Sequence, residues 1–117
     1  MNKHNTINYL ELPAHNFNKT KRFFKQVFGW QFVDYGPDYM AFENAGIDGG
    51  FYRSSLSSRT ENGSVLIVFY SSNLTETLSH VEAAGGMIVK PIFSFPGGRR
   101  FHFQDPNGNE LAVWSET

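Results

Sequence analysis

Polar and apolar residues alternate from Thr6 to Leu12 (TINYLEL) and stop at Pro13, which predicts a strand. Over Asn16–Phe28 (NFNKTKRFFKQVF) the period changes. Phe17, Phe24 and Phe28 share a face with Thr20, Phe23 and Val27, the spacing of an amphipathic helix. Asn16 or Asn18 can cap its start, and Gly29 can end it. Three short strands are expected next, at Gln31–Asp34, Tyr39–Glu43 and Ile47–Arg53, with YGPDY and NAGIDGG as the turns between them.

The polar, Ser-rich run Ser54–Gly63 reads as a linker, and after it the order repeats. Ser64–Tyr70 (SVLIVFY) is an apolar run suited to a buried strand. Leu74–Ala84 predicts a second helix with Leu74, Leu78 and Val81 on one face. Asn73 and Glu76 stand at capping-box spacing before it, and Gly85-Gly86 stop it. Met87–Ile92, Arg99–Gln104 and Glu110–Ser115 complete three more strands. Both halves therefore read strand, helix, strand, strand, strand. An offset of 57 residues pairs Asn16-Phe17 with Asn73-Leu74, Phe24 with Val81, Val27 with Ala84, Gly29 with Gly86 and Trp30 with Met87. One register held through a helix and its stop points to internal duplication. Two such copies predict a pseudo-symmetric sheet with helices outside and a concave inner face.

Composition narrows the partners. At 117 residues the chain is expected to form one domain, 1–117, with module one at about 5–53, linker 54–63 and module two at about 64–116. Twelve Phe, five Tyr and two Trp can fill a core and still line a small-molecule pocket. Net charge is −1, without a block of Lys and Arg, which argues against a nucleic-acid partner. There is no Cys, hence no disulfide, thiolate metal site or Cys nucleophile. The start MNKHNTINYL lacks a signal-type apolar stretch, and no apolar run approaches 18 residues. A soluble cytoplasmic protein without a membrane partner is expected.

Two motifs carry a family resemblance, LPAHNFNKTKRFFKQVFGW (Leu12–Trp30) and FQDPNGNELAVW (Phe103–Trp114). The first resembles a strand end, helix and FYxxxFGW finish, with Phe23-Phe24 as the aromatic pair. The second resembles a DPxGNxxEL closing hairpin. Together they make the chain similar, over about residues 5–116, to the glyoxalase/bleomycin-resistance/dioxygenase (vicinal oxygen chelate) superfamily. Within it, the chain resembles the small bacterial proteins related to lactoylglutathione lyase. The resemblance implies an α+β fold of two paired βαβββ modules, a curled mixed sheet around a cavity, and a homodimer. In metal-dependent members one divalent ion in the cavity polarises two neighbouring substrate oxygens.

That site needs His, Glu or Gln at four strand positions. The motifs place these at Tyr9, near Gly50, at Leu66 and at Ala112, two residues after Glu110. Tyr, Gly, Leu and Ala are not a ligand set. No metal of the family's kind, and no other cofactor, is expected. The four histidines do not rebuild a site. His4 and His15 precede a strand and a helix, His80 lies beside a helix's apolar face, and His102 stands alone between Phe101 and Phe103. None shows metal-ligand spacing.

Strand alternation gives the faces. If Tyr9 points into the cup, Ile7 and Glu11 do too. If Leu66 does, Val68 and Tyr70 follow, while Val65, Ile67 and Phe69 pack the other way. If Ala112 does, Glu110 and Trp114 follow. The expected cavity holds Tyr9, Glu11, Tyr52, Leu66, Val68, Tyr70, His102, Glu110, Ala112 and Trp114. Such a lining suits an organic ligand, with rings able to stack on a flat or cationic one. Glu11 and Glu110 are structural carboxylates, rim or ion-paired to Arg99 or Arg100, or general bases with raised pKa. FPGGRR (Phe95–Arg100) is an ordinary turn, a lid or an anion site.

Three functions compete. The first is a metal-free binder of a small apolar or aromatic molecule. The second is a lyase or isomerase-type enzyme, metal-dependent or using Glu110, Glu11 or Tyr9 as acid or base. The third is an interaction module whose aromatic surface serves dimerisation or a partner.

Overall fold

A computed structural model describes residues 2–117. Pairing decides where each strand begins. β1 runs Tyr9–Ala14 rather than from Thr6, because its parallel partner β4 (Asp48–Arg53) starts at Asp48, opposite Tyr9. Residues before Tyr9 have no strand to bond, and Asn5 turns left-handed there. Ile7 is accordingly 83% exposed and outside the strand, against the expected inward position. Pro13 can sit in β1 because the strand lies at the sheet edge.

Helix α1 (Phe17–Phe28) starts at Asn16, whose side chain accepts from the Lys19 N–H, and stops at Gly29 in the left-handed region. β2 (Gln31–Asp34) and β3 (Tyr39–Glu43) complete a sheet ordered β1-β4-β3-β2. The second half repeats it with β5 (Ile67–Tyr70), α2 (Leu74–Ala83), β6 (Met87–Phe95), β7 (Gly98–Gln104) and β8 (Glu110–Ser115), ordered β5-β8-β7-β6. β1 with β4 and β5 with β8 are the parallel pairs. The protein is thus an α+β fold of two βαβββ modules in two four-stranded mixed sheets, and the duplication is visible strand for strand. Among the described residues no helix is long and apolar enough to cross a membrane.

The copies differ where local chemistry intervenes. β5 loses its first residues because Glu110 N–H bonds the Ser58 carbonyl at 2.7 Å, so the linker takes the place of a longer β5 beside the start of β8. Val65 is left 80% exposed instead of packed alongside Ile67 and Phe69. α2 ends at Ala83, and the left-handed residue is Gly85, so Gly86 does not play the part of Gly29. Gly86 is instead held tight against Val81 and Phe23. The capping box at α2 is half made: Asn73 accepts from the Glu76 N–H, but Asn73's own N–H goes to Ser71 Oγ. β6 and β7 run longer than expected and meet in a tight Pro96-Gly97 turn, so FPGGRR is a hairpin rather than a lid.

One core serves both modules. From α1, Phe24 stacks on Trp30 at 4.4 Å and meets Phe51 at 5.6 Å, both in module one. Phe23 and Phe28 reach Phe103 at 5.9 and 6.0 Å, and Phe28 stacks on Phe69 at 4.0 Å, both in module two. α2 contributes Leu74 and Val81. Burying a Phe contributes about 2–3 kcal/mol, so this aromatic seam holds the modules together as well as each one internally.

Candidate functional site

With Leu10, Leu12, Met40, Phe42 and Phe51 turned to the core, the other face of the first sheet carries Tyr9, Glu11, Tyr39 and Tyr52. Three of them form a chain. The Tyr39 hydroxyl donates to Glu11 Oε2 at 2.9 Å, and the Tyr9 hydroxyl lies 2.6 Å from that of Tyr39. Burial, then the bonds to Tyr9 and Glu11, push the Tyr39 phenol above its ordinary pKa. Tyr39 therefore stays a donor to the Glu11 carboxylate, and Tyr9 donates to Tyr39.

On the second sheet, Phe101, Phe103, Leu111 and Val113 are fully buried, so alternation puts Arg100, His102, Glu110, Ala112 and Trp114 together on the opposite face. Val68 and Tyr70 join them from β5, opposite Ala112 and Trp114. His102 and Glu110 have side chains only 3% and 9% exposed, with Nδ1 2.8 Å from Oε2. Glu110 Oε1 also accepts from the Thr60 N–H at 3.0 Å and the Thr60 hydroxyl at 2.8 Å. On the far side, Arg100 Nη2 and Nε approach His102 Nε2 at 2.8 and 3.2 Å. Guanidinium only donates, so Nε2 must accept and the ring proton sits on Nδ1, facing Glu110.

Burial opposes ionising Glu110, but the hydrogen bonds from His102 and Thr60 outweigh it, and its pKa falls to about 2. The expectation of a raised pKa at Glu110 is thus corrected. Its partner is His102, neither Arg99 nor Arg100, and both carboxylate oxygens are engaged. A carboxylate so held is a poor base near neutral pH.

The ten residues expected in one cavity divide between the sheets. Tyr9, Glu11 and Tyr52 belong to the first sheet. Val68, Tyr70, His102, Glu110, Ala112 and Trp114 belong to the second, and Leu66 immediately precedes β5. Two grooves collect some of them. One of about 330 Å³ takes Tyr9 and Glu11 together with Ser58, Ser64 and Val65. One of about 460 Å³ takes Val68 and Tyr70 with Trp30, Phe42 and Ile47.

The four positions that the resemblance assigns to ligands, Tyr9, near Gly50, Leu66 and Ala112, do not offer a divalent ion its donors. Tyr9 gives a phenol already bonded to Tyr39, Leu66 and Ala112 give none, and Gly50 has no side chain. Nor is there space at position 50, where a Cβ would strike the Tyr39 hydroxyl and the Met40 carbonyl. Ala112 is completely buried. Among the described residues no three of His, Cys, Asp or Glu are grouped to hold a metal.

Sequence reasoning missed the role of Asp105–Asn109, expected only to turn the chain. Asp105 accepts four N–H bonds, from the backbone and side-chain amides of Asn107 and Asn109. Burial pushes its carboxyl up, and those four donors pull it back. Asn107 Oδ1 then takes the N–H groups of His15 and Asn16, and its Nδ2 donates to Thr20. Asn109 Nδ2 donates to the Pro13 carbonyl, and its Oδ1 takes the Ser58 N–H. Ser57 and Arg59 side chains bond the carbonyls of Asn107 and Gly108. The closing turn is a buried clamp joining module two to the start of α1 and to the linker. The signal was present as two Asn flanking a Gly, more amide than a turn requires.

A family model described as the glyoxalase/bleomycin resistance protein/dioxygenase superfamily matches residues 6–113. No curated protein matches. Among solved structures, the fosfomycin resistance protein FosX from Listeria monocytogenes aligns with TM-score 0.79 at 18% identity, covering 98% of this chain and 96% of that one. A glyoxalase-related enzyme from Fulvimarina pelagi aligns with TM-score 0.78 at 18% identity, covering 95% and 88%. An integron cassette protein from V. cholerae aligns with TM-score 0.67 at 22% identity, covering 100% and 99%. At these identities the likeness speaks for the fold.

Proposed function

The chain belongs to the glyoxalase/bleomycin-resistance/dioxygenase superfamily, and from that premise we propose that it is a metal-free binding protein for a small apolar or aromatic molecule. One observation carries the reading: the family's four ligand positions hold Tyr9, Gly50, Leu66 and Ala112, and the Tyr39 hydroxyl takes the space into which a side chain at Gly50 would project. The aromatic side chains left on the open sheet faces support it, Tyr9 and Tyr52 on one sheet and Tyr70 on the other all being exposed. The same exposure supports a homodimer, and the lack of cysteine fits a cytoplasmic setting. After stripping with a chelator, titration calorimetry with Ni²⁺, Zn²⁺ and Mn²⁺ should show no stoichiometric binding below micromolar Kd. Submicromolar binding of one ion per chain would overturn the reading. Sedimentation velocity tests the dimer, and a strict monomer at tens of micromolar would remove it.

A second reading has its own observation. The Tyr9–Tyr39–Glu11 chain is an exposed hydrogen-bonded acid and phenol pair on the open face, suited to moving a proton to or from a bound substrate. Glu11→Gln should then abolish any glyoxalase-type turnover with stability unchanged, whereas Glu110→Gln should not act as loss of a base.

A further inference from the structure

We infer that the open face of the second sheet takes a small organic anion with a flat apolar body, its charge gripped by Arg100 and its body laid against Trp114, Phe95 and Phe93. This rests on the small-molecule reading above and names the class of ligand for it.

The observations begin with alternation. Phe101 and Phe103 go to the core, so Arg100 emerges on the open face opposite Phe93 and Trp114 in register. Its guanidinium is fixed from behind. Nε and Nη2 donate to His102 Nε2, His102 is held by Glu110, and Glu110 is held by Thr60. That chain spends rotamer freedom before any ligand arrives, which is how a binding group is preorganised.

Within the relay no carboxylate touches the arginine directly. Arg53 and Arg59 each lie within 4.0 Å of a carboxylate, Asp38 and Glu61. Among the described residues Arg100 has none, and its only side-chain acceptor is an imidazole nitrogen. Guanidinium has five N–H donors in a planar fork matched to carboxylate or phosphate. The donors that do not face His102 remain for such a group. Glu116, the acid near this face, is bonded by the Tyr70 hydroxyl.

The surroundings define the rest of the ligand. The Arg100 guanidinium carbon lies 5.6 and 5.9 Å from the Phe93 and Phe95 ring centroids. Phe95 lies 6.3 Å from Trp114, and Trp114 lies 5.1 Å from Tyr70. A continuous strip of rings thus begins at the cation and leads away from it. An anionic head with a flat apolar body satisfies both halves.

Titration calorimetry with three matched acid and amide pairs tests this: benzoate and benzamide, 2-naphthoate and 2-naphthamide, indole-3-acetate and indole-3-acetamide. The expected result is an acid that binds at least tenfold tighter than its amide, with a preference that shrinks as salt is raised. Arg100→Gln should reduce the preference to twofold or less, and Arg100→Lys should restore part of it. Should Arg100→Gln fail to fold by near-UV circular dichroism, Arg100→Lys alone must still weaken the acid at least threefold while leaving the amide unchanged. Equal binding of acids and amides, or a preference indifferent to Arg100, overturns the inference and leaves a small-molecule binder. If no member of any pair binds at millimolar concentration, the inference and the reading beneath it both fall.

Discussion

Asn107→Ala removes the centre of the clamp between the modules, and its cost can be worked from the contacts. The side chain makes four hydrogen bonds, accepting from His15 and Asn16 N–H and donating to Thr20 Oγ1 and Asp105 Oδ2. A net hydrogen bond contributes about 1 kcal/mol, and one to a charged group somewhat more. Alanine also leaves the Asp105 carboxylate, buried and dependent on four donors, with one fewer. His15 is exposed and Asn16 half-buried, so full desolvation of their amides is not added. The expected loss is about 3–4 kcal/mol. For a chain of this length that lowers Tm by roughly 12–16 °C, at about 4 °C per kcal/mol. Urea unfolding followed by tryptophan fluorescence and far-UV circular dichroism measures it, with Ser79→Ala, which loses one exposed bond on α2, as control. A loss below about 1 kcal/mol would mean the turn carries no inter-module load, and the reasoning would be wrong.

Other outcomes follow from the same contacts. Glu110 has its pKa lowered from 4.5 to about 2, so its stabilisation is complete above pH 4.5 and is lost as pH falls towards 2. That lowering sets a ceiling of roughly 3 kcal/mol, and wild type should lose up to that much more than Glu110→Gln between pH 5 and pH 2 in urea titrations; parallel profiles would refute the pairing. Phe24→Ala opens a cavity beside Trp30 and Phe51 and should cost about 3–5 kcal/mol in equilibrium unfolding. Gly50→Ala should cost at least about 2 kcal/mol by overpacking, and Tyr39→Ala in the same chain should recover part of it; a neutral Gly50→Ala would show that the space at position 50 is open after all.

Much of the fold was legible because it depends on period. The two helices, their Asn caps and the three closing strands of each half are local patterns, and the 57-residue offset repeated them. The boundaries that moved are those fixed by partners. β1 waits for Asp48, and β5 is cut short by Ser58 bonding Glu110, neither of which a single strand's sequence contains. The faces of β5 and β8 followed from alternation alone. The pairings across those faces did not. Glu110 with His102, and Arg100 with His102, join residues eight and two apart through a hairpin register, while Glu11 reaches Tyr39 through a third strand. Asn107 and Asn109 were legible as turn formers, but their bonds to Pro13, His15 and Thr20 cross more than 85 residues.

The two modules have used the same frame differently. In the first, Gly50 lacks a side chain and the Tyr39 hydroxyl occupies its place, spending its proton on Glu11. In the second, Ala112 leaves the ladder position beside His102 without a donor, and His102 turns its Nδ1 to Glu110 two residues earlier. Polar groups that could have converged on one ion are consumed in pairs within each sheet. The buried Glu110–His102 pair resists being reopened, because freeing one member leaves the other unsatisfied. On the metal-free reading, placing a carboxylate at Ala112 alone should therefore not create metal binding. Ala112→Glu would set a second carboxylate beside Glu110, raise the pKa of both and destabilise the fold without gaining Ni²⁺ or Zn²⁺ affinity in calorimetry. Submicromolar metal binding by Ala112→Glu would show instead that the remaining donors are free to converge.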